Sequence, residues 1–462
     1  MRSENILIYA IRGTDKWWSS VGENMKPYNS YIVSDIKGKG NFNVVDDFYK
    51  ELSKYKNVAF DKSILLSSDS IAEIIARCRV LRNLETDLAE DMVNAMAHSL
   101  QKVIDSVNPV AILAFPIDRY VSDVLEHLAR IKSIPFYELT VSPIPDMGML
   151  TKKGVLMTRN KEVSLVEVDK QISKLTKPFF APSYVKSVSN FGFLKWLYTV
   201  IYFKLRGWVF KWISILNRDP LNLHYLDSQS FLVHKVSLKD FKILSLVDHD
   251  WHKKVEKFSI DKRVFFGLTV FPEASIDYWV SDIELIDYED IMFNSIKAFS
   301  EAGFLVIVKD HPQQFGFRQK DLIEKILTLK NVLFVPYSVS GNELLMMCGT
   351  NFSFTGTLGL QAALMGKKSI VVKNYYSTSD DFIYLNSRSD VSNLPNLVNR
   401  NIYSKNLLVS QQRIVERLLR GSFNCDFFSF VDFDEKKQNP SLVLMGNTLA
   451  EEIKYHQDLE SF

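Results

Sequence analysis

The sequence has 462 residues, with 56 Lys and Arg against 54 Asp and Glu for a formal net charge of +2, 47% hydrophobic residues, 13% aromatics and three cysteines. At roughly 150 residues per domain this is material for two sizeable domains or one large α/β enzyme, and it excludes a disordered, collagen-like or disulfide-stapled chain. The near balance of charge leaves no global field for nucleic acid, so none is expected as a partner. Cys78, Cys348 and Cys425 stand far apart with no CxxC or Cys/His cluster around them, the pattern of reduced, buried thiols in a cytosolic protein.

In chain order, Ile6 to Ile11 reads as a first strand rather than a signal peptide, because an acidic residue precedes the apolar run and Arg12-Gly13 stops it. The loop Arg12, Gly13, Thr14 after it is expected at a ligand cleft. Between Ser70 and Asp105 apolar residues recur at three- and four-residue steps, which is helical spacing, and Asn108-Pro109 ends it. Val110 to Phe115 reads as a buried strand, Ser122 to Arg130 as helix, and 134–139 as the next strand. This β-α-β rhythm implies a parallel sheet over 1–180.

Residues 181–255 break the rhythm. They are basic and aromatic, and are read as an interdomain segment with one or two helices. Within them, 193–216 mixes Trp and Tyr with Lys195, Lys204, Arg206 and Lys211. This fits an interfacial helix, or an interdomain packing element. At about 100° per residue Lys195 and Arg206 fall on one side and Lys204 and Lys211 on nearly the opposite one, so no single clean amphipathic face is expected.

The alternation resumes over 256–400. Strands are expected at 263–270, 304–309, 332–335, 352–354 and 369–372, with helices between them, one of these capped near Ser340. The tail, 401–462, carries helical pieces able to pack on either half. The fold expected is α/β, two doubly wound Rossmann-like halves facing a cleft, with ligands beyond the carboxyl ends of the strands.

Three segments place chemistry there. Val308-Lys309-Asp310-His311-Pro312 puts a cation and an imidazole at a strand end, suited to a phosphate or to protonating a leaving group, with Pro312 fixing the turn. A plain loop hydrogen bond is the alternative role for His311. Ser353, Thr355, Gly356 and Thr357 form a hydroxyl-Gly-hydroxyl turn opening a helix that carries Gln361. Free N–H groups and two Thr hydroxyls there suggest an anion site, or else ordinary capping. Glu273, just past the first strand of this half, suits a ribose or sugar hydroxyl, or a helix cap. Asp248-His249-Asp250 and Asp432-Phe433-Asp434 lie outside the β/α pattern. Such triplets arise often by chance, and no metal is expected.

These three segments, in this order, resemble the bacterial capsule polysaccharide biosynthesis glycosyltransferases of GT-B architecture. That family shows a Pro-Glu turn, a Lys-acid-His-Pro motif and a Thr-Gly-Thr-x-Gly-x-Glu-Ala-x-x-x-Gly-Lys segment. The resemblance is clearest over 263–373 and weaker through Ile117-Asp118-Arg119-Tyr120 and Ile134-Pro135-Phe136-Tyr137-Glu138. This chain has Gln361 where the family has Glu. The resemblance implies metal-independent transfer of a sugar, such as Kdo or another acidic sugar from a CMP donor, to a growing capsule or lipopolysaccharide O-antigen glycan. The nucleotide sugar is then a substrate, no cofactor is required, and the acceptor is lipid-linked. It implies donor binding by Lys309, His311, Pro312, Ser353, Thr355, Gly356, Thr357, Gln361 and Glu273. His311 meets the donor phosphate, and a first-half carboxylate, Glu138 or else Asp118, serves as base or nucleophile. The implied place is the cytoplasm, peripheral at the inner face of the plasma membrane. Competing readings are a UDP-sugar transferase, a sugar-nucleotide 2-epimerase, or a non-catalytic capsule assembly protein.

Overall fold

The computed structural model describes residues 4–11, 13–55, 65–177, 191–216, 236–377, 380–400, 406–435 and 439–460. The chain divides into two compact units, Met1–Glu162 joined by Leu418–Phe462, and Val163–Arg417.

The first unit is built on β1 (Asn5–Ala10), β2 (Asn29–Ser34), β3 (Phe42–Asn43), β4 (Ala111–Ala114), β5 (Phe136–Val141), β6 (Met147–Lys152) and β7 (Val155–Leu156). Its parallel part runs β3-β2-β1-β4-β5, and β6 then turns antiparallel against β5. The helical pattern of 70–105 is two helices, Ser68–Arg77 and Thr86–Val107. Cys78 turns to extended backbone between them, while Ile71, Ile74, Met92 and Val93 all remain buried, so the apolar spacing survives a break in the axis. Asn108, in left-handed conformation at φ 48°, ends the second helix before Pro109.

Among the described residues the second unit carries six strands: β8 (Arg263–Gly267), β9 (Leu305–Lys309), β10 (Val332–Phe334), β11 (Thr350–Phe352), β12 (Lys368–Val371) and β13 (Ile383–Tyr384). The order is β10-β9-β8-β11-β12-β13, all parallel. Numbered within the unit this is 3-2-1-4-5-6, the doubly wound arrangement, and its reversal point lies between β8 and β11. Both faces are covered, as the apolar strands require. Phe266, Phe299, Phe304, Val306, Phe352 and Ile370 fill one side, and Phe265, Leu305, Ile307 and Leu333 the other. Gly359 lets the helix Leu358–Leu364 approach the sheet, since a Cβ there would meet Val371 Cγ1 and Tyr376 Oη at 2.6 Å.

The segment expected as interdomain belongs to this second unit. Its residues 193–216 form one helix of 24 residues with Gly207 inside it. Trp196 and Val200 are buried in the second unit's core, and Phe203 stacks edge-on with Phe317.

The chain then returns to the first unit. Strand β14 (Ser422–Asn424) pairs antiparallel with β6, Ser422 opposite Met149. The helix Pro440–Glu460 buries Leu442, Met445, Leu449 and Ile453 among Ile6, Ile8, Trp17, Trp18 and Val21. A Cβ at Gly446 would meet Val21 O at 2.5 Å, so the helices Asp15–Gly22 and Pro440–Glu460 cross at a point only glycine permits.

Candidate functional site

The reversal point of the second sheet gathers the three segments named from sequence. Gln314, just past β9, exchanges hydrogen bonds with the backbone past β8: its Oε1 accepts from Phe271 N and its Nε2 donates to Phe271 O, both at 3.2 Å. Ser275 Oγ and Thr355 Oγ1, on the loops past β8 and β11, lie 2.8 Å apart and share a hydrogen bond. The Ser275 hydroxyl also donates to Glu273 Oε2 at 3.1 Å. Three loops from three adjacent strands are thus joined by side chains at one sheet edge.

The β9 loop is held from beneath by a buried ion pair. Asp310 Oδ1 accepts from Arg318 Nη2 at 2.8 Å and from the His311 backbone N–H at 2.9 Å, and Oδ2 accepts from Tyr337 Oη at 2.7 Å. Arg318 also donates to Thr269 O, reaching the β8 loop. Burial alone would lower the Arg318 guanidinium's affinity for its proton, but Asp310 outweighs burial and raises it. Asp310, quoted from sequence only as part of the motif, is the hub of the loop.

His311 is half-buried. Its Nδ1 accepts from Gln313 N at 3.2 Å, capping the short turn Pro312–Gln314. Burial pushes its pKa down to about 4, aided by Lys309 and Arg318 against Asp310. A neutral ring with Nδ1 accepting carries its proton on Nε2, so it offers a neutral N–H donor. Pro312 opens the turn at a position where its missing N–H costs nothing.

Other expected ligands stand differently. Lys309 is buried and donates to the carbonyls of Asp310 and Tyr337 at 3.1 and 3.2 Å, so its ammonium braces backbone instead of facing a phosphate. Burial lowers its pKa to about 8. Ser353 Oγ donates to Gly356 O, and Tyr376 Oη donates to the same carbonyl, which locks the Thr-Gly-Thr turn. Thr357 makes no capping hydrogen bond, and the helix it opens has only seven residues, too short for a strong terminal dipole. Gln361 is buried within that helix. What the turn supplies is the Thr357 hydroxyl, since Thr355 is buried and bonded to Ser275, whose own proton goes to Glu273.

In the first unit, Glu138 is fully buried. Its carboxylate accepts from Ile117 N at 3.1 Å, Thr151 Oγ1 at 3.0 Å and Gly154 N at 3.0 Å, and burial raises its pKa. It ties three segments together and presents nothing to a substrate. Asp118 sits past the carboxyl end of β4 with its side chain 15% exposed, and Arg119 Nε donates to its Oδ1 at 3.1 Å. Arg119 also donates to Asp35 Oδ2, which accepts from Tyr9 Oη at 2.7 Å. Asp118 and Asp35 raise the Arg119 pKa against burial. Asp35 and Tyr9 were not marked from sequence; a Tyr inside a first strand and a lone Asp after a half-polar second strand carry no motif. Thr14 Oγ1 donates to Ile11 O and closes the loop after β1, where Gly13 takes φ 77°. Arg12 lies outside the described residues.

Asp248 pairs with Lys254 and Asp250 with Lys253. Among the described residues one group of metal-type ligands converges, Asp123, Glu126 and His127, with ligand atoms within 4.8 Å of one another. Arg130 Nη2 lies 2.7 Å from His127 Nδ1, which places the ring proton on Nε2 facing Asp123, and Lys153 pairs with Glu126. Both Asp123 carboxylate oxygens and His127 Nε2 are buried with no hydrogen-bond partner among the described residues.

Burial pushes the Asp123 carboxyl up from 3.8 to about 7. A raised acid contributes stability below the unfolded pKa and loses it as pH rises through the folded one. Asp123→Asn is therefore expected to gain stability relative to the parent between pH 4 and pH 8, by about 4 kcal/mol at roughly 1.4 kcal/mol per pKa unit. Urea titrations at several pH values measure this, and a pH-independent difference would contradict it.

The second unit is thus a doubly wound α/β unit with joined polar loops at its reversal point. No family model matches the sequence, and no curated protein matches it. Among solved structures, KpsC of Thermosulfurimonas dismutans, a beta Kdo 2,7 transferase, is 10% identical, with 72% of this chain and 84% of that one covered at a TM-score of 0.33. UDP-GlcNAc 2-epimerase from Methanocaldococcus jannaschii, in complex with UDP-GlcNAc and UDP, is 12% identical, with 90% and 100% covered at 0.27. The Neisseria meningitidis UDP-GlcNAc 2-epimerase bound to UDP-GlcNAc is 10% identical, with 99% and 100% covered at 0.24. Scores of this size decide nothing between transfer and epimerisation.

Proposed function

We propose that the protein is a glycosyltransferase that moves a sugar from a nucleotide donor onto a glycan acceptor, with the donor held at the reversal point of the second sheet. The observation that carries this reading is the joining of the β9, β8 and β11 loops through Gln314, Ser275 and Thr355, because it converges the motif residues where doubly wound sheets bind nucleotides. His311 Nε2–H donates to the donor phosphate, the Thr357 hydroxyl donates to a phosphate oxygen while Thr355, bonded to Ser275, braces the turn, and Glu273 accepts from a ribose or sugar hydroxyl. Asp118, the partly exposed carboxylate past β4 in the first unit, is the assigned base. In the transfer the bond from the anomeric carbon to the acceptor oxygen forms and the bond to the phosphate oxygen breaks. The acceptor proton passes to the carboxylate, and the phosphate leaves with the electron pair, its charge met by the His311 N–H. A CMP-linked acidic sugar such as Kdo is the donor assigned, and a lipid-linked capsule or lipopolysaccharide glycan the acceptor.

The test is thermal melting with CMP, CDP, UDP and GDP, on the parent and on His311→Ala. A ligand at a hundred times its Kd stabilises by about 2.7 kcal/mol. A CMP-selective shift lost in the variant is expected. A UDP-selective shift moves the assignment to a UDP-sugar transferase, or to a 2-epimerase if the sugar is converted without acceptor. No shift with any nucleotide overturns donor binding and favours a non-catalytic role.

A further inference from the structure

The helix 193–216 shows two apolar faces. One is spent on the second unit: Trp196 and Val200 are buried, Trp196 meets Phe241 edge-on, and Gly316 packs against Thr199. The other is open. Leu194, Tyr198, Ile201, Leu205, Trp208 and Trp212 follow one another at steps of four and three residues, a single stripe down the helix, and all are exposed, Leu194 by 78% and Trp208 by 61%. Tyr202 and Val209 widen the stripe. At about 100° per residue Lys195 and Arg206 border it on one side and Lys204 on the other. The two opposed basic sides seen in the sequence are therefore the two margins of one apolar stripe, the remaining face being consumed by packing.

We propose that this stripe docks on an anionic lipid surface, with the helix axis in the membrane plane. Three properties point to that occupant. The exposed residues are Trp, Tyr, Leu and Ile, the side chains that settle at the boundary of headgroups and acyl chains. The cations flank them, where an in-plane helix meets lipid phosphates. The 24 residues include no Asp or Glu. The step pattern also suits a helix pair, but a second copy would bring Lys195, Lys204 and Arg206 against the same cations with no acid on the helix to match them. Charge complementarity favours lipid. No helix among the described residues is long and apolar enough to cross a membrane, so the contact is lateral. The helix is already fixed to the second unit through Trp196, so docking orders little further chain. This inference stands on the helix alone and does not depend on the sugar-transfer reading.

The test is co-sedimentation of the full chain with phosphatidylcholine vesicles, with and without phosphatidylglycerol. The parent is expected to bind vesicles containing phosphatidylglycerol, with a blue shift of tryptophan emission. Lys195→Gln/Lys204→Gln/Arg206→Gln is expected to weaken that binding about a hundredfold, at the strength typical of a basic residue near an anionic surface. Leu205→Ser/Trp208→Ser/Trp212→Ser is expected to abolish binding to either vesicle. The serine variant replaces exposed side chains only, the glutamine variant two exposed lysines and the half-buried Arg206, and unchanged melting and nucleotide shifts confirm that both fold. Absence of vesicle binding by the parent, or a stable dimer in light scattering that the serine variant converts to monomer, overturns the proposal.

Discussion

Asp310→Ala is expected to cost about 3–5 kcal/mol of stability, the range for removing one partner of a buried ion pair. Asp310 and Arg318 side chains are 0% and 2% exposed. The substitution leaves a guanidinium in the interior with only a carbonyl to meet it, and strips the acceptor from Tyr337 Oη and from the His311 N–H. The loss will show as a lower urea midpoint at unchanged slope. Because Asp310 anchors the His311 backbone, the nucleotide-dependent melting shift is expected to fall even under conditions where the variant is folded. The paired replacement Asp310→Leu/Arg318→Met is expected to be more stable than the single one, since it removes both charges together. A single-variant loss under about 1 kcal/mol would show that Arg318 finds water or another anion, and that the pair does not organise the loop.

The second large effect separates two carboxylates of the first unit. Glu138→Ala is expected to lose about 3–5 kcal/mol, because each buried donor left without an acceptor costs about 1–3 kcal/mol and the three costs are not additive. Transfer per folded molecule should persist in Glu138→Gln, which keeps the volume and one acceptor oxygen. Asp118→Asn should fold normally, since its carboxylate is partly exposed, and lose about 10²- to 10⁴-fold in kcat, the range for a positioned acid or base. The reverse result, a folded Glu138→Gln that is inactive beside an active Asp118→Asn, would hand the base role to Glu138.

Much of the second unit was legible. Its strands are short apolar runs between turn residues, and β8, β9, β10 and β12 form close to where such runs lie. The motif residues were legible as a set because each follows a strand, and parallel strands bring their carboxyl ends to one edge. Side-chain direction was not legible. Lys309 reads as a phosphate ligand from its place at a strand end, yet its ammonium turns to a carbonyl of Tyr337, 28 residues away, a tertiary contact that leaves no local trace. Arg318 carries no periodic signal, although it completes the ion pair beneath His311. β2 and β3 escaped because Asn29-Ser-Tyr-Ile-Val-Ser is half polar and β3 is two residues long. The helix 193–216 misled for a different reason: a sequence apolar on both sides does not say which side the protein will use.

The return of the chain to close the first unit sets an order on synthesis. β6 leaves the ribosome with β7 pairing only Thr151 and Lys152 on its outer edge and Met147 to Met149 open, and Trp17, Trp18 and Val21 emerge without the helix that covers them. Their partners, β14 and the helix Pro440–Glu460, arrive only after the whole of the contiguous second unit has been made. At about 5–20 residues per second the wait is on the order of tens of seconds. The segment translated first therefore matures last. Through that interval the nascent chain offers part of a strand edge and an apolar surface to its surroundings, until the helix Pro440–Glu460 docks.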